Sequence, residues 1–208
     1  MLQRIYYNAE TCTLCNPINS YCESAKEMEL YNFIKSNYNS IVLLKSRKII
    51  PPSELDIYLP ELKLAFEFNG VYWHNELNVN KYYHLNKTEK CEKKGIQLIQ
   101  IYEDDWIYKQ VIVKSMTLNK LNNIENKIYA RKTKIKEITD NKIVREFLDK
   151  NHIQGFVGSK IKLGLFYEDE LVSLMIFGSR RVATGNENEY ELLRFCNKLN
   201  TTVIGAAL

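Results

Sequence analysis

Between Glu54 and Asn69 apolar and polar positions alternate. Leu55, Ile57 and Leu59 interleave with Asp56 and Tyr58, and beyond Pro60-Glu61 the residues Leu62, Leu64, Phe66 and Phe68 interleave with Lys63, Ala65, Glu67 and Asn69. A period of two on both sides of a short turn predicts a β-hairpin. Upstream, residues 24–37 (SAKEMELYNFIKSN) open on a serine and place Met28, Leu30, Tyr31, Phe33 and Ile34 as the apolar side of a short amphipathic helix, which would pack on the sheet. Residues 80–94 are polar, lysine-rich and free of Pro and Gly, and Gly95 follows as the residue expected just past a helix C-terminus. Ile96–Tyr102 (IQLIQIY) is more continuously apolar than the hairpin, which predicts an interior strand covered on both faces. These elements make an α/β domain, a mixed sheet flanked by helices.

Near Asn119 the pattern changes to an Asn- and Lys-rich stretch, LNKLNNIENKIYARKTKIK. Beyond it come a capped helix from Thr139 or Asp140 to Lys150, a loop Asn151–Gly155, a hairpin turning at Glu168-Asp169 and the strand YELLRFC. The reading is therefore four segments: a cysteine-bearing start (1–23), the α/β domain (24–118), a basic linker (119–138) and a smaller α+β domain (139–208).

The hairpin carries the candidate chemistry. With Pro60 and Glu61 as the loop, Leu59 faces Leu62 and Asp56 falls opposite Ala65, so that Asp56 and Glu67 are diagonal neighbours on one face. A loop of two or four residues keeps the two acids together, whereas three residues would separate them. Pro60 argues against the primed two-residue turns, because it cannot take a positive φ. Carboxylates converging from adjacent strands can grip a divalent cation whose shell is completed by water and a phosphate oxygen. An edge hairpin with a solvated polar face satisfies the same alternation.

The segment resembles the very short patch repair endonucleases of the restriction-endonuclease-like, or PD-(D/E)XK, group, and the related phage homing endonucleases described by an EDxHD motif. The match runs over roughly residues 24 to 106. It consists of the first helix with Glu29 in KEMELYNFI, then Asp56-x(3)-Pro60, then Gly70-x-Tyr72-Trp73-His74, with KCEKKGIQLIQIYEDDW as the closing helix and strand. The resemblance implies that Asp56 binds metal, that His74 activates water and that Glu29 supports the site. Tyr72 and Trp73 match aromatic positions that contact or wedge into DNA. The chain departs from those enzymes at Phe68-Asn69, where they carry Thr-His, and at Glu67, a position apolar in them. The local pattern Asp56-x(10)-Glu67-x-Asn69 is similar to the broader PD-(D/E)XK signature with asparagine in place of lysine. His84 falls where the repair enzymes have a supporting aspartate. Lys87, one helical turn later, either replaces the missing lysine or is a solvated helix residue that meets DNA.

Charge changes the picture only modestly. In 208 residues, 29 Lys and Arg face 25 Asp and Glu, giving +4, so a polyanionic partner requires the cations to cluster. They do so in one place: Lys127, Arg131, Lys132, Lys134 and Lys136 surround Tyr129, as in an extended arm that tracks phosphates. A solvated linker fits the same residues. No apolar run approaches the ~20 residues of a membrane span, and the first residues lack the apolar core of a signal peptide. A soluble, cytoplasmic protein of a bacterial cell, with a phage gene as one source, is the expectation.

Five dispersed cysteines suit a reducing compartment. Cys12 and Cys15 have the spacing of half a zinc site and Cys22 could be a third ligand, so the alternatives are structural zinc and free thiols. The order of elements after Thr139 resembles the opening half of a GNAT acyltransferase. With the sequence ending at Leu208, the helix that would complete a pyrophosphate site is missing, and a DNA-docking module is expected instead. Taken together, the expectation is an endonuclease acting on double-stranded DNA with magnesium or manganese. A repair nickase and a non-catalytic DNA-binding protein are the alternatives, and monomer and homodimer both stay open.

Overall fold

A computed structural model describes residues 25–70, 82–179 and 189–207. The expectations for Cys12, Cys15, Cys22, Tyr72, Trp73 and His74 fall outside these residues. The chain is α/β, with helices packed on mixed and antiparallel sheets. Helix α1 (Ala25–Asn37) leads into strands β1 (Leu43–Ile50), β2 (Ser53–Leu59) and β3 (Leu64–Asn69), then α2 (Tyr83–Glu92) and β4 (Gln97–Tyr102). These four strands form one sheet in the order β1-β2-β3-β4, antiparallel except for the parallel pair β3-β4.

The alternation read from the sequence sorts two faces of this sheet. On one, Ile57, Leu59, Leu64, Phe66, Phe68 and Ile101 pack against Leu30 and Ile34 of α1, and against Trp106 and Val113 of the next two helices, α3 (Glu103–Tyr108) and α4 (Gln110–Lys120). On the other, Tyr58, Ala65 and Leu98 lie under Cys91 of α2. Gly95 takes a φ of +68°, open to glycine without a Cβ penalty, and ends the α2 turn as its position suggested.

One open choice is decided here, and two expectations need correction. The hairpin loop has four residues: Leu59 pairs with Leu64, and Lys63 N–H donates to Pro60 C=O at 3.2 Å. The strand buried on both faces is β3, every residue of which is buried, whereas β4 is the sheet's edge. Apolar continuity in β4 reflects cover from the helices, not strands on both sides. Residues 119–138 are not a linker. They hold strand β5 (Asn126–Tyr129), a 3-10 turn (Ala130–Lys132) and strand β6 (Lys134–Glu137).

The second unit is a four-stranded antiparallel sheet, β6 with β7 (Ile161–Tyr167), β8 (Glu170–Ser179) and β9 (Tyr190–Asn197), covered by helix α5 (Asn141–Asn151). Asp140 caps α5, accepting from Lys142 N–H at 2.7 Å. Glu168 and Asp169 both have positive φ and make the tight hairpin turn between β7 and β8. The last strand, β10 (Thr201–Ile204), leaves this sheet and pairs in parallel with β5.

Phe66 is fully buried at the centre of the first core. Phe66→Ala is expected to lower the unfolding free energy by about 3–5 kcal/mol. Ile135, 72% exposed on β6, should change it by less than about 0.5 kcal/mol when made Ala. Urea unfolding of the two variants checks both values and the assignment of inside and outside.

Candidate active site

The polar residues of β2 and β3 share the face that α2 covers. Continuing the pairing Ile57↔Phe66 by one residue sets Asp56 directly across from Glu67. The two acids are thus facing partners, not the diagonal neighbours that a two-residue loop would give. Glu67 lies level with Gln100 on β4, and Asn69 with Tyr102, which adds Asn69 and Gln100 to the same face. A third charge comes from above. Lys87 of α2 reaches down to Glu67 Oε1 in a hydrogen-bonded ion pair, and both side chains are almost wholly buried.

Burial governs the electrostatics. Asp56 accepts the Phe68 N–H at 2.8 Å, yet loss of hydration outweighs this bond and the attraction of Lys87, and its carboxyl is held above the usual carboxylate range. For Glu67, burial and then the Asp56 charge outweigh Lys87 and push it from 4.5 to about 7. With both acids ionised, two carboxylates face one ammonium, and protonation of Glu67 near pH 7 balances the pair. Glu67 Oε2 has no hydrogen-bond partner among the described residues.

The remaining expected residues divide sharply. Asn69 is 2% exposed and donates to Gln100 Oε1 at 2.6 Å. Lys87 is 3% exposed, which overturns its reading as a solvated residue meeting DNA. His84 sits one turn before Lys87 on α2, its ring edge-on to Tyr83, and burial and then Lys87 hold its pKa down. Glu29 bonds Lys26 at 2.9 Å and the Trp106 indole N–H at 3.1 Å. That places it with α1 and the opposite core, not with Asp56 and Glu67. Its neighbour Glu27 instead pairs with Lys45 at 3.8 Å, and the Lys45 charge is felt at Asp56.

Gln100 was not singled out from the sequence. A glutamine two residues after Leu98 in an otherwise apolar strand was the available signal, but its meaning depends on register with Glu67, which only strand pairing supplies. The chain matches no family model, no curated protein and no solved structure.

The basic run is exposed but not uniform. Lys134 and Lys136 lie on the edge strand β6, while Arg131 and Lys132 lie in the 3-10 turn before it, so one strand does not carry all four. Arg131 stacks over Tyr129 with its guanidinium 5.0 Å from the ring, and Lys136 lies 4.9 Å over Phe166 and 3.8 Å from Asp169.

Two stability measurements follow. Because the folded pKa of Glu67 is raised, its contribution is fully present below about 4.5 and lost as pH rises through about 7. Unfolding free energy should therefore decline between pH 5 and 8, and Glu67→Gln should flatten that decline. Lys87→Met strands the two carboxylates, costing about 3–5 kcal/mol at pH 8 and less at pH 5, where Glu67 takes up a proton. Urea titrations across pH check both.

Proposed function

We propose that the chain is a metal-dependent endonuclease of the restriction-endonuclease-like kind that hydrolyses phosphodiester bonds in double-stranded DNA. The observation that carries this reading is the direct opposition of a half-buried carboxylate, Asp56, and a buried one, Glu67, on neighbouring strands beneath a buried lysine. The element order is consistent with it: a first helix, three antiparallel strands, then a helix and a parallel strand, with Asp56 and Glu67 on adjacent strands. The phage homing context rests on that resemblance.

The donor set fits magnesium or manganese. Among the described residues no cluster of three or more His, Cys, Asp or Glu could cage a metal, and magnesium is commonly held by one or two carboxylates with waters and substrate phosphates filling the shell. Glu67 Oε2 has no hydrogen-bond partner among the described residues, and a bound cation would favour the ionised carboxylate. Asp56 and Glu67 would hold the ion, which when bound polarises a phosphoryl oxygen and acidifies water.

The chain's own residues prepare the site before any ion arrives. Phe68 N–H fixes one Asp56 oxygen, and Lys87 fixes one Glu67 oxygen, so both carboxylates present their second oxygens in a set direction. The Lys87 ammonium, held at Glu67, would stand in for the signature's missing lysine and offset negative charge gathering on the phosphate. The basic segment from Lys127 to Lys136 would hold the duplex by its backbone. No described helix is long and apolar enough to cross a membrane.

Asp56→Asn and Glu67→Gln should each lower plasmid cleavage in magnesium by about 1000-fold or more, since several kcal/mol of transition-state stabilisation is lost. Duplex affinity measured in calcium should stay within about two-fold. Wild-type cleavage by either variant would remove that residue from the site, and a wild-type chain that binds but never cuts would favour a DNA-binding protein built on a nuclease core. Changing Lys132, Lys134 and Lys136 together to Ala should flatten the log-log salt dependence of binding by about 0.9 for each phosphate no longer neutralised. An unchanged slope would place the duplex elsewhere.

A further inference from the structure

Beside the carboxylates lies a second pair of groups whose hydrogen bonding is incomplete. Asn69 and Gln100 share one hydrogen bond, after which Asn69 Oδ1 and Gln100 Nε2 have no partner among the described residues. Turning either amide does not remove the shortfall. Two primary amides joined by a single N–H···O bond always leave one carbonyl oxygen and N–H donors over, whichever of them donates. Asn69 is 2% exposed, so bulk solvent does not make up the difference. Unpaired polar atoms at this depth are rare, and each calls for a specific occupant.

The leftover atoms are not scattered. Gln100 is level with Glu67 on the neighbouring strand, and Asn69 is two residues along β3 on the same face. Two acceptors, Glu67 Oε2 and the free amide oxygen, and one free amide donor thus belong to neighbouring positions on one face of the sheet. A ligand that suits them must both donate and accept, and must be small. Water meets these terms, and a buried water typically makes about three hydrogen bonds.

We infer that Glu67, Asn69 and Gln100 hold a single ordered water, and that this water is the one delivered to the scissile phosphate. The second half rests on the endonuclease reading; the first does not. The water donates to Glu67 and to the free amide oxygen and accepts from the free amide N–H, which leaves its remaining lone pair as the only direction open for attack. Hydrolysis then balances without further reagents: the water oxygen bonds to phosphorus, the bond from phosphorus to the leaving sugar oxygen breaks with its electron pair on that oxygen, and the water proton passes to the Glu67 carboxylate to which it is hydrogen-bonded. Asn69 and Gln100 are positioning residues in this scheme, and their arrangement is a property of this chain's β3–β4 register.

Two measurements test it. A high-resolution crystal structure of the full chain, grown without divalent metal, should show water within hydrogen-bond distance of Glu67, Asn69 and Gln100. A protein side chain from residues 71–81 seated there, or no ordered solvent, would overturn the site. Gln100→Met keeps the length but cannot hydrogen-bond. It should lower single-turnover cleavage about 100-fold, the scale of loss for a misplaced reactant, while duplex affinity in calcium stays at the wild-type value. Gln100→Met cleaving at the wild-type rate would overturn the water's role. A wild-type crystal that holds the water, from a chain that cuts no duplex, would instead sink the endonuclease reading and leave the water site standing.

Discussion

Drawing two carboxylates and a lysine out of water on one face of a sheet, Glu67 and Lys87 wholly and Asp56 in part, is the constraint around which the first unit is arranged. A buried charge is costly unless paired and hydrogen-bonded, so each of these groups dictates something nearby. Glu67 requires a cation within reach and obtains Lys87, which fixes how α2 lies across β3. Asp56 requires a donor and obtains the Phe68 amide, which sits beyond the last paired residues of the β2–β3 ladder. Such an arrangement is a poor source of stability. Apolar residues of equal volume would hold the same helix to the same sheet as well or better, and strongly perturbed carboxyls concentrate where chemistry is done. The face opposite shows the alternative, with Phe66, Trp106 and Leu30 packed in an apolar core.

Much of this was legible from the chain. Period-two alternation placed both acids on one face, and the glycine at 95 and the aspartate at 140 marked helix ends correctly. What failed was whatever depended on counting or on partners. Parity allowed two or four residues for the loop after Leu59, and only the Leu59↔Leu64 pairing decides for four. Lys87 lies in a stretch of polar and lysine residues with no apolar periodicity to mark its buried side, so nothing local distinguished it from Lys90 or Lys94. Strands β5 and β10 have four residues each, and their paired residues Asn126 and Thr201 stand 75 positions apart, too short and too distant to read as a pair. Strand β1, with its charged residues, a positive φ at Lys45 and a register shift between Ser46 and Ile50, offered no alternation at all.

The parallel pairing of β5 with β10 also changes how the two units are joined. Asn119 of α4 donates to Thr202 at 2.6 Å, Ser115 accepts the Asn200 N–H at 2.8 Å, and Ile153 from the loop after α5 packs into the first core. Helix α4 is thus shared: its Val113 face belongs to the core beneath β3, and its Ser115 and Asn119 side belongs to the turn before β10. A flexible tether would let the second sheet sample many orientations. Three independent fastenings around one helix do not.

That rigidity bears on how the basic segment could act. Cations on a loose linker raise the local concentration of a duplex without orienting it, whereas cations on β6 and its preceding turn stand at a set place relative to the sheet that holds Asp56 and Glu67. Arg131 over Tyr129 and Lys136 over Phe166 are each braced by a ring, which reduces the side-chain freedom given up when a phosphate is bound. Phosphate contacts fix register on the duplex and carry no base information. In a molecule so joined, the second sheet would position the phosphodiester backbone, and selection among sequences would fall to elements that approach the bases from the α/β unit.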